Sequence, residues 1–343
     1  MTKTDIKKFS ITGLKDVIGE LGLERFRAQQ IIKWLYQSGA KSFDEMTNLK
    51  KELREKLSER FYIGGLKIVD TQTSSDGCVK FLQMLEDGNC IESVIIPDED
   101  RNTLCVSSQI GCAMACKFCF TAKHGFVRNL TVGEILNQVL FAQEFVAPGR
   151  ITNIVFMGMG EPLLNLDNLV DAIEILKDDN AFGMSARRIT VSTSGVLPKL
   201  KELCERTEVM IAVSLNAADD ATRDKVMPIN KKYPINELID TCRALPMKKR
   251  ARITFEYVLI RGLNDSLDDA KKLTKLLSGL RCKINLIPFN EHSGLEYKSP
   301  STETIREFQT YLLNKNFTAI LRASRGRDIS AACGQLRGKQ APA

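Results

Sequence analysis

Apolar positions in the first 60 residues recur at three-to-four spacing: Leu14, Val17, Ile18 and Leu21, then Ile31, Ile32 and Leu35. That period lays one apolar face along a helix. Gly22 and Gly39 punctuate the runs, and Asn48–Arg60 predicts a last, charged helix. The period then shortens. Leu66–Thr73, Cys78–Leu85 and Cys90–Ile96 are β-prone runs joined by Asp76-Gly77 and Asp87-Gly88, and Pro97-Asp98-Glu99-Asp100 closes the last. Asp-Gly between such runs signals a hairpin, so a three-stranded meander is expected.

From about residue 101 strand-like and helix-like stretches alternate. Strands are expected at Thr103–Ser107, Ile151–Phe156, Arg188–Ser192, Val209–Ser214, Ile253–Ile260 and Lys283–Pro288. Helices are expected at Thr131–Phe145, Leu166–Lys177, Leu197–Glu205, Ile235–Leu245 and Leu267–Leu277, the first with a Thr131/Glu134 capping box. Six such units predict a parallel barrel with its chemistry at the C-terminal ends of the strands. The expected class is therefore α/β: a partial parallel (β/α)6 barrel, an N-terminal helical accessory domain and a small β meander. The boundaries are 1–60 for the helices, 61–97 for the meander, 98–331 for the barrel and 332–343 for a tail.

Composition narrows the class. Hydrophobic residues at 43% and charged residues at 27% are ordinary for a globular chain of 343 residues. No stretch approaches 18 uninterrupted apolar residues, and M-T-K-T-D-I-K-K-F lacks the apolar core of a secretion signal, so no membrane span and no export are expected. Ten cysteines with a clustered trio suit a reducing compartment better than a disulfide scaffold, which places the chain in the cytoplasm. The net charge of +7 is unevenly spread: residues 1–60 carry 13 Lys/Arg against 9 Asp/Glu, Lys248 to Arg252 reads K-K-R-A-R, and residues 315–343 carry six basic side chains against Asp328. One such run can be solvated surface. Several together favour contact with a phosphate backbone.

The sharpest chemical signal is C-A-M-A-C-K-F-C, with thiols at Cys112, Cys116 and Cys119. Three thiolates on one loop can hold three irons of a 4Fe–4S cubane and leave the fourth open to a small molecule. A zinc site would need a fourth ligand, and no second C-x2-C or Cys/His pair is present. Three inert buried thiols are the plain alternative. Polar and glycine-rich stretches end the other strands: Met157 to Pro162, Ser192 to Gly195, Ser214 to Asn216, and Asn290. The first lacks the third glycine of a dinucleotide fingerprint, and Ser or Asn at a strand end is commonly just a turn residue; their joint placement is what argues for a site. Near the C-terminus Cys333 stands between Ala332 and Gly334, after Arg322, Arg325 and Arg327. A lone cysteine is commonly inert, but nearby guanidinium groups would lower this thiol's pKa and make it a nucleophile. Cys105 is the second separate thiol.

The C-x3-C-x2-C run, with Phe118 before its last cysteine, resembles the signature of the radical S-adenosylmethionine superfamily. Over nearly the whole chain, from the basic helical start to A-A-C-G-Q-L, the sequence is similar to the dual-specificity radical S-adenosylmethionine methyltransferases of adenine carbon-2 in 23S rRNA and tRNA. The resemblance implies that Cys112, Cys116 and Cys119 bind a 4Fe–4S cluster. It implies that Gly160, Glu161, Ser192, Ser214, Leu215, Asn216 and Asn290 contact S-adenosylmethionine, two molecules being used per turnover. Cys333 would be methylated in catalysis, Cys105 would resolve the resulting thioether by forming a disulfide with Cys333, and Glu92 would act as general base. Carbon-2 of adenine is electron-poor and cannot attack a sulfonium methyl directly, which is why a thiol carrier and a radical are both needed. The implied partners are 23S rRNA, tRNA and an external electron donor, with a monomeric enzyme. The sister family, which methylates adenine carbon-8, shares the cysteines; Pro162 after Glu161 and Asn216 in place of His favour carbon-2. Glycyl-radical activation, which would not need Cys333, and a non-catalytic iron–sulfur or zinc RNA-binding protein are the other readings.

Overall fold

The computed structural model describes residues 3–248, 251–291 and 295–338. The N-terminal part is helical as its period predicts: α1 (Ile11–Glu20), α2 (Arg27–Tyr36) and α3 (Lys51–Arg60) bury Leu14, Ile18, Ile31, Ile32, Leu35, Leu53 and Leu57. Ser10 caps α1 by accepting the Gly13 amide at 3.0 Å. A two-residue pairing, β1 (Thr4–Asp5) with β2 (Phe61–Tyr62), closes the unit. These helices share one continuous apolar core with the rest of the chain. The Lys7 ammonium, itself buried, bonds the Gly64 carbonyl at 3.0 Å and Asn137 Oδ1 at 2.8 Å, so the unit is fastened to the core by polar contacts too.

The meander is β3 (Lys67–Thr73), β4 (Val79–Met84) and β5 (Cys90–Asp98). Both Asp-Gly turns form as the sequence predicts. Gly77 and Gly88 take φ of 86° and 81°, while Asp76 and Asp87 each accept the amide two residues on. The meander is not a separate sheet, because β5 pairs antiparallel with β6 (Arg101–Cys105). Next come the short hairpin β7 (Gln109–Gly111) and β8 (Phe126–Asn129), with the cysteine loop between its strands, and α4 (Val132–Phe145) behind its capping box.

Alternation then proceeds through β9 (Asn153–Phe156), α5 (Leu166–Lys177), β10 (Ile189–Thr193), α6 (Leu197–Arg206), β11 (Met210–Ser214), α7 (Asp220–Val226), α8 (Ile235–Ala244), β12 (Ile253–Leu259), α9 (Leu267–Leu276), β13 (Cys282–Pro288), α10 (Thr302–Asn314) and β14 (Ala319–Leu321). The ten strands from β14 to β3, omitting β7 and β8, lie in sequential order in one sheet. From β6 to β14 every pairing is parallel. The six expected strands are present, and β14 is a seventh: three residues ahead of the arginine-rich segment give too short an alternation to read. Among the described residues no helix is long and apolar enough to cross a membrane.

Candidate active site

A cavity opens at the C-terminal ends of the parallel strands and takes in the cysteine loop. Gly111 starts that loop at φ 71°, where a Cβ would run into the Gly125 carbonyl, so only glycine lets the two strands of the hairpin close here. The Cys112 amide donates to the same carbonyl at 2.7 Å. Ala115, inside the C-x3-C interval, adopts φ 53°, a left-handed turn uncommon for a side chain. The Lys117 amide donates to Val226 O at 2.9 Å, which pins the loop to the end of α7.

All three loop cysteines line the cavity. Burial pushes every one of these thiols up, Cys112 to about 12, and Cys116 is pushed further by repulsion from Cys119 and Cys112. Among the described residues no three His, Cys, Asp or Glu converge as they would around a single ion. The donor set suits a cluster: three neighbouring sulfurs in a poorly solvated loop ionise together only if positive charge is placed between them.

Most of the other predicted residues gather round the same cavity. Gly160, Glu161, Ser192, Ser214, Asn216 and Asn290 all border the cavity. Gly160 sits at φ 103°, and a Cβ there would lie 2.6 Å from Gln109 Cβ. Replacing it with alanine is expected to cost on the order of 1–3 kcal/mol of strain and to weaken S-adenosylmethionine binding; equilibrium dialysis with labelled ligand, beside a thermal melt, would measure both. Glu161 is buried, its Oε2 accepting the Ser194 amide at 2.7 Å and Ser194 Oγ at 2.8 Å. Burial nevertheless raises its pKa. Asn216 stands at φ 57°, where Oδ1 accepts the Val258 amide at 2.9 Å. Asn290 Nδ2 donates to Cys333 O at 3.1 Å, while its Oδ1 is buried without a hydrogen-bond partner among the described residues. Such an orphaned acceptor is costly unless a ligand donates to it. S-adenosylmethionine, with ammonium and hydroxyl donors, fits that vacancy in bonding. Leu215 departs from the set: its side chain is fully buried away from the cavity, and its backbone bonds Glu256 and Arg223.

Cys333 occupies a turn between Ser330 (φ 53°) and Gly334 (φ 84°). It is accessible yet surrounded by protein, because it faces the cavity rather than the outer surface. Cys105, buried at the end of β6, borders the same space, with Cys119 and Asn290. The lowering of the Cys333 pKa expected from the sequence does not occur. Enclosure and then Glu256 push the thiol up, against a smaller downward pull from Arg322. The other two arginines are committed elsewhere. Arg325 bonds Asp76 O at 2.7 Å and Pro97 O at 3.0 Å, and Arg327 reaches Phe289 O at 3.4 Å. The disulfide expected of Cys105 and Cys333 is not formed, all ten cysteines being free thiols.

Glu92 lies apart from this cavity. Its Oε2 accepts the Arg337 amide at 2.5 Å and the Gly338 amide at 3.2 Å, and Lys80 Nζ is 3.3 Å from Oε1. The basic run at Lys248 gives one described ion pair, with Glu208; Lys249 and Arg250 lie outside the described residues, as does Lys339. Two site residues escaped the sequence reading. Glu256, on β12, borders the cavity beside Cys333, buried and bonded by Asn285 Nδ2 at 2.9 Å. Arg223, on α7, is wholly buried behind the strand-end loops.

A parallel sheet, a three-cysteine loop at its C-terminal edge and a ligand-sized cavity between them define a radical S-adenosylmethionine enzyme. Residues 106–274 match the radical SAM superfamily, and residues 4–63 match the ribosomal RNA large subunit methyltransferase N-terminal domain. The chain is 52% identical to the dual-specificity RNA methyltransferase RlmN of Geotalea uraniireducens, covering 99% of this chain and 98% of the relative. Identity to the protein of the same name from Geobacter sulfurreducens is 55%, over 98% and 93%. A crystal structure of a radical SAM methyltransferase from Sphaerobacter thermophilus superposes with a TM-score of 0.92 at 42% identity, covering 98% of this chain and all of that one. The chain belongs to the dual-specificity RNA methyltransferase RlmN family. Its cofactors are accordingly a 4Fe–4S cluster and S-adenosylmethionine.

Proposed function

We propose that this chain methylates carbon-2 of one adenine in 23S rRNA and of the adenine next to the anticodon in tRNAs, with Cys333 as methyl acceptor and Cys105 as resolving thiol. The observation that carries this reading is the shared wall of Cys105, Cys119, Asn290 and Cys333 around one cavity. Cys112, Cys116 and Cys119 are the residues that would hold the cluster. Bound there, the cluster supplies one-electron reduction, and two molecules of S-adenosylmethionine per turnover supply the methyl group and the radical.

The chain's own groups do the rest. Asn290 holds the Cys333 backbone through Nδ2 and offers Oδ1 to the ligand, so acceptor and ligand share one anchor. Gly160, Glu161, Ser192, Ser214 and Asn216 line the cavity with the cysteines, and Leu215 acts through its loop. Because enclosure keeps the Cys333 sulfur protonated, a base must take that proton before the sulfur can attack; Glu256 is the carboxylate beside it. Glu92 can serve as the general base on the adenine only after the Arg337 and Gly338 amides release it. The adenine must be unpaired or extruded to enter such a cavity.

The domain division 1–60, 61–97, 98–331 and 332–343 belongs to the same proposal, with residues 1–60 and the basic tail contacting RNA. So do a monomeric state, an external electron donor and a cytoplasmic location. Deleting the gene should abolish 2-methyladenosine at the rRNA position and beside the anticodon together, as read by mass mapping of nuclease digests. Loss of 8-methyladenosine instead would assign the sister activity.

A further inference from the structure

Arg223 is a cation without exposure, and three of its side-chain bonds go to carbonyls at the back of the site. Its Nε donates to Leu215 O at 3.0 Å, and Nη2 donates to Ser194 O at 2.8 Å and Ser214 O at 3.2 Å. Those carbonyls end β10 and β11, the strands that bring Ser192, Ser214 and Asn216 to the cavity. Nη1 donates to Asn230 Oδ1 at 3.0 Å. The other end of that amide donates to Asp220 and Asp224, each at 2.8 Å. Two carboxylates are therefore kept one residue away from the guanidinium, and among the described residues no carboxylate pairs with it directly.

The same short helix reaches the cysteine loop, since Lys117 N donates to Val226 O and Cys116 and Phe118 pack against Val226 and Met227. The ionisable groups that face Arg223 are Cys116, Asp220, Asp224 and Cys242. Burial alone would lower its pKa well below that of a free guanidinium, and it settles at about 10, still charged at neutral pH. A buried arginine that only braced loops would be better served by a direct carboxylate. Here the carboxylates are set back, and the helix that carries the guanidinium meets the cluster loop where Lys117 N bonds Val226 O and Cys116 packs beside it.

We propose that Arg223 is a positioning residue that locks the loops after β10 and β11 behind the cysteine loop and whose charge raises the reduction potential of a cluster held by Cys116. The proposal rests on the reading that Cys112, Cys116 and Cys119 carry that cluster. Reduction adds an electron to the site, so a fixed positive charge nearby favours the reduced form, and hydrogen bonding and net charge are the usual means of tuning such potentials.

The test is a redox titration of the reconstituted full-length chain, without RNA, followed by the electron paramagnetic resonance of the reduced cluster. Arg223→Met should lower the midpoint potential. Arg223→Lys, which keeps the charge and loses the fork, should restore it towards wild type. Asp224→Asn keeps an oxygen for Asn230 and removes a negative charge, so it should raise the potential. This last variant leaves Arg223 in place, so an unchanged potential in it overturns the proposal even where Arg223→Met does not fold. Fully loaded variants with the wild-type potential, Asp224→Asn included, would overturn the proposal and reduce Arg223 to a brace. A wild-type chain that takes up no cluster would overturn the ligand reading and this one together.

Discussion

Cys116→Ala is expected to purify almost without iron and without the visible absorbance of a cluster, while its far-ultraviolet circular dichroism stays that of the wild type. Two sulfurs cannot hold a cubane that already lacks a fourth protein ligand, so the loss should be near complete rather than graded. The fold should survive. Cys116 is only half-buried, on a loop whose course is fixed by backbone bonds from Cys112, Lys117 and Phe120 to Gly125, Val226 and Gly334. Removing a thiol there deletes no core packing comparable to that of Ile31 or Leu57. Cys204→Ala, on the outer helix α6, is the matched control and should keep full iron. Iron and acid-labile sulfide analysis after anaerobic reconstitution checks both; a Cys116→Ala protein with wild-type iron would remove the cluster from this loop.

Much of the site was legible in the sequence because its parts are local. The cysteines are within eight residues of one another, and each strand-end motif follows its own strand, so chain order alone places them on one edge of a parallel sheet. What could not be read depended on tertiary neighbours. Arg223 lies in D-A-T-R-D-K-V, a run so rich in charge that it reads as solvated helix, and only the packing of α7 behind the loops buries it. Glu256 alternates with Ile253, Phe255, Tyr257 and Leu259 in the β12 pattern. Alternation gives such a residue to the polar face, but inside a parallel sheet that curves round a cavity the polar face is the site. The acidity of Cys333 was misjudged for a related reason. Sequence proximity to three arginines says nothing of enclosure: Arg322 and Arg325 both border the cavity that Cys333 occupies, but Arg325 is bonded to Asp76 and Pro97.

Cys333→Ala and Cys105→Ala should differ in kind. Alanine at 333 removes the acceptor sulfur, so neither methylated protein nor methylated RNA can form. Alanine at 105 leaves the acceptor in its turn, still held by Asn290, and removes a second sulfur that borders the same cavity. Turnover should then proceed until RNA carbon is joined to Cys333, and stop, because no thiol remains to break that thioether by pairing with it. The double substitution should behave as Cys333→Ala does, since resolution has no meaning without attachment; residues acting as a unit are expected to be non-additive in this way. Neither change should unfold the chain: Cys333 is accessible, and a buried Cys105→Ala change deletes one sulfur, at a cost of about 1–2 kcal/mol. The decisive measurement is a denaturing gel of each purified variant, run in high salt before and after ribonuclease treatment. The account predicts a slow, ribonuclease-sensitive band for Cys105→Ala alone, since phosphate contacts do not survive those conditions. Identical RNA-free migration of both single variants would contradict it and leave Cys105 a structural thiol.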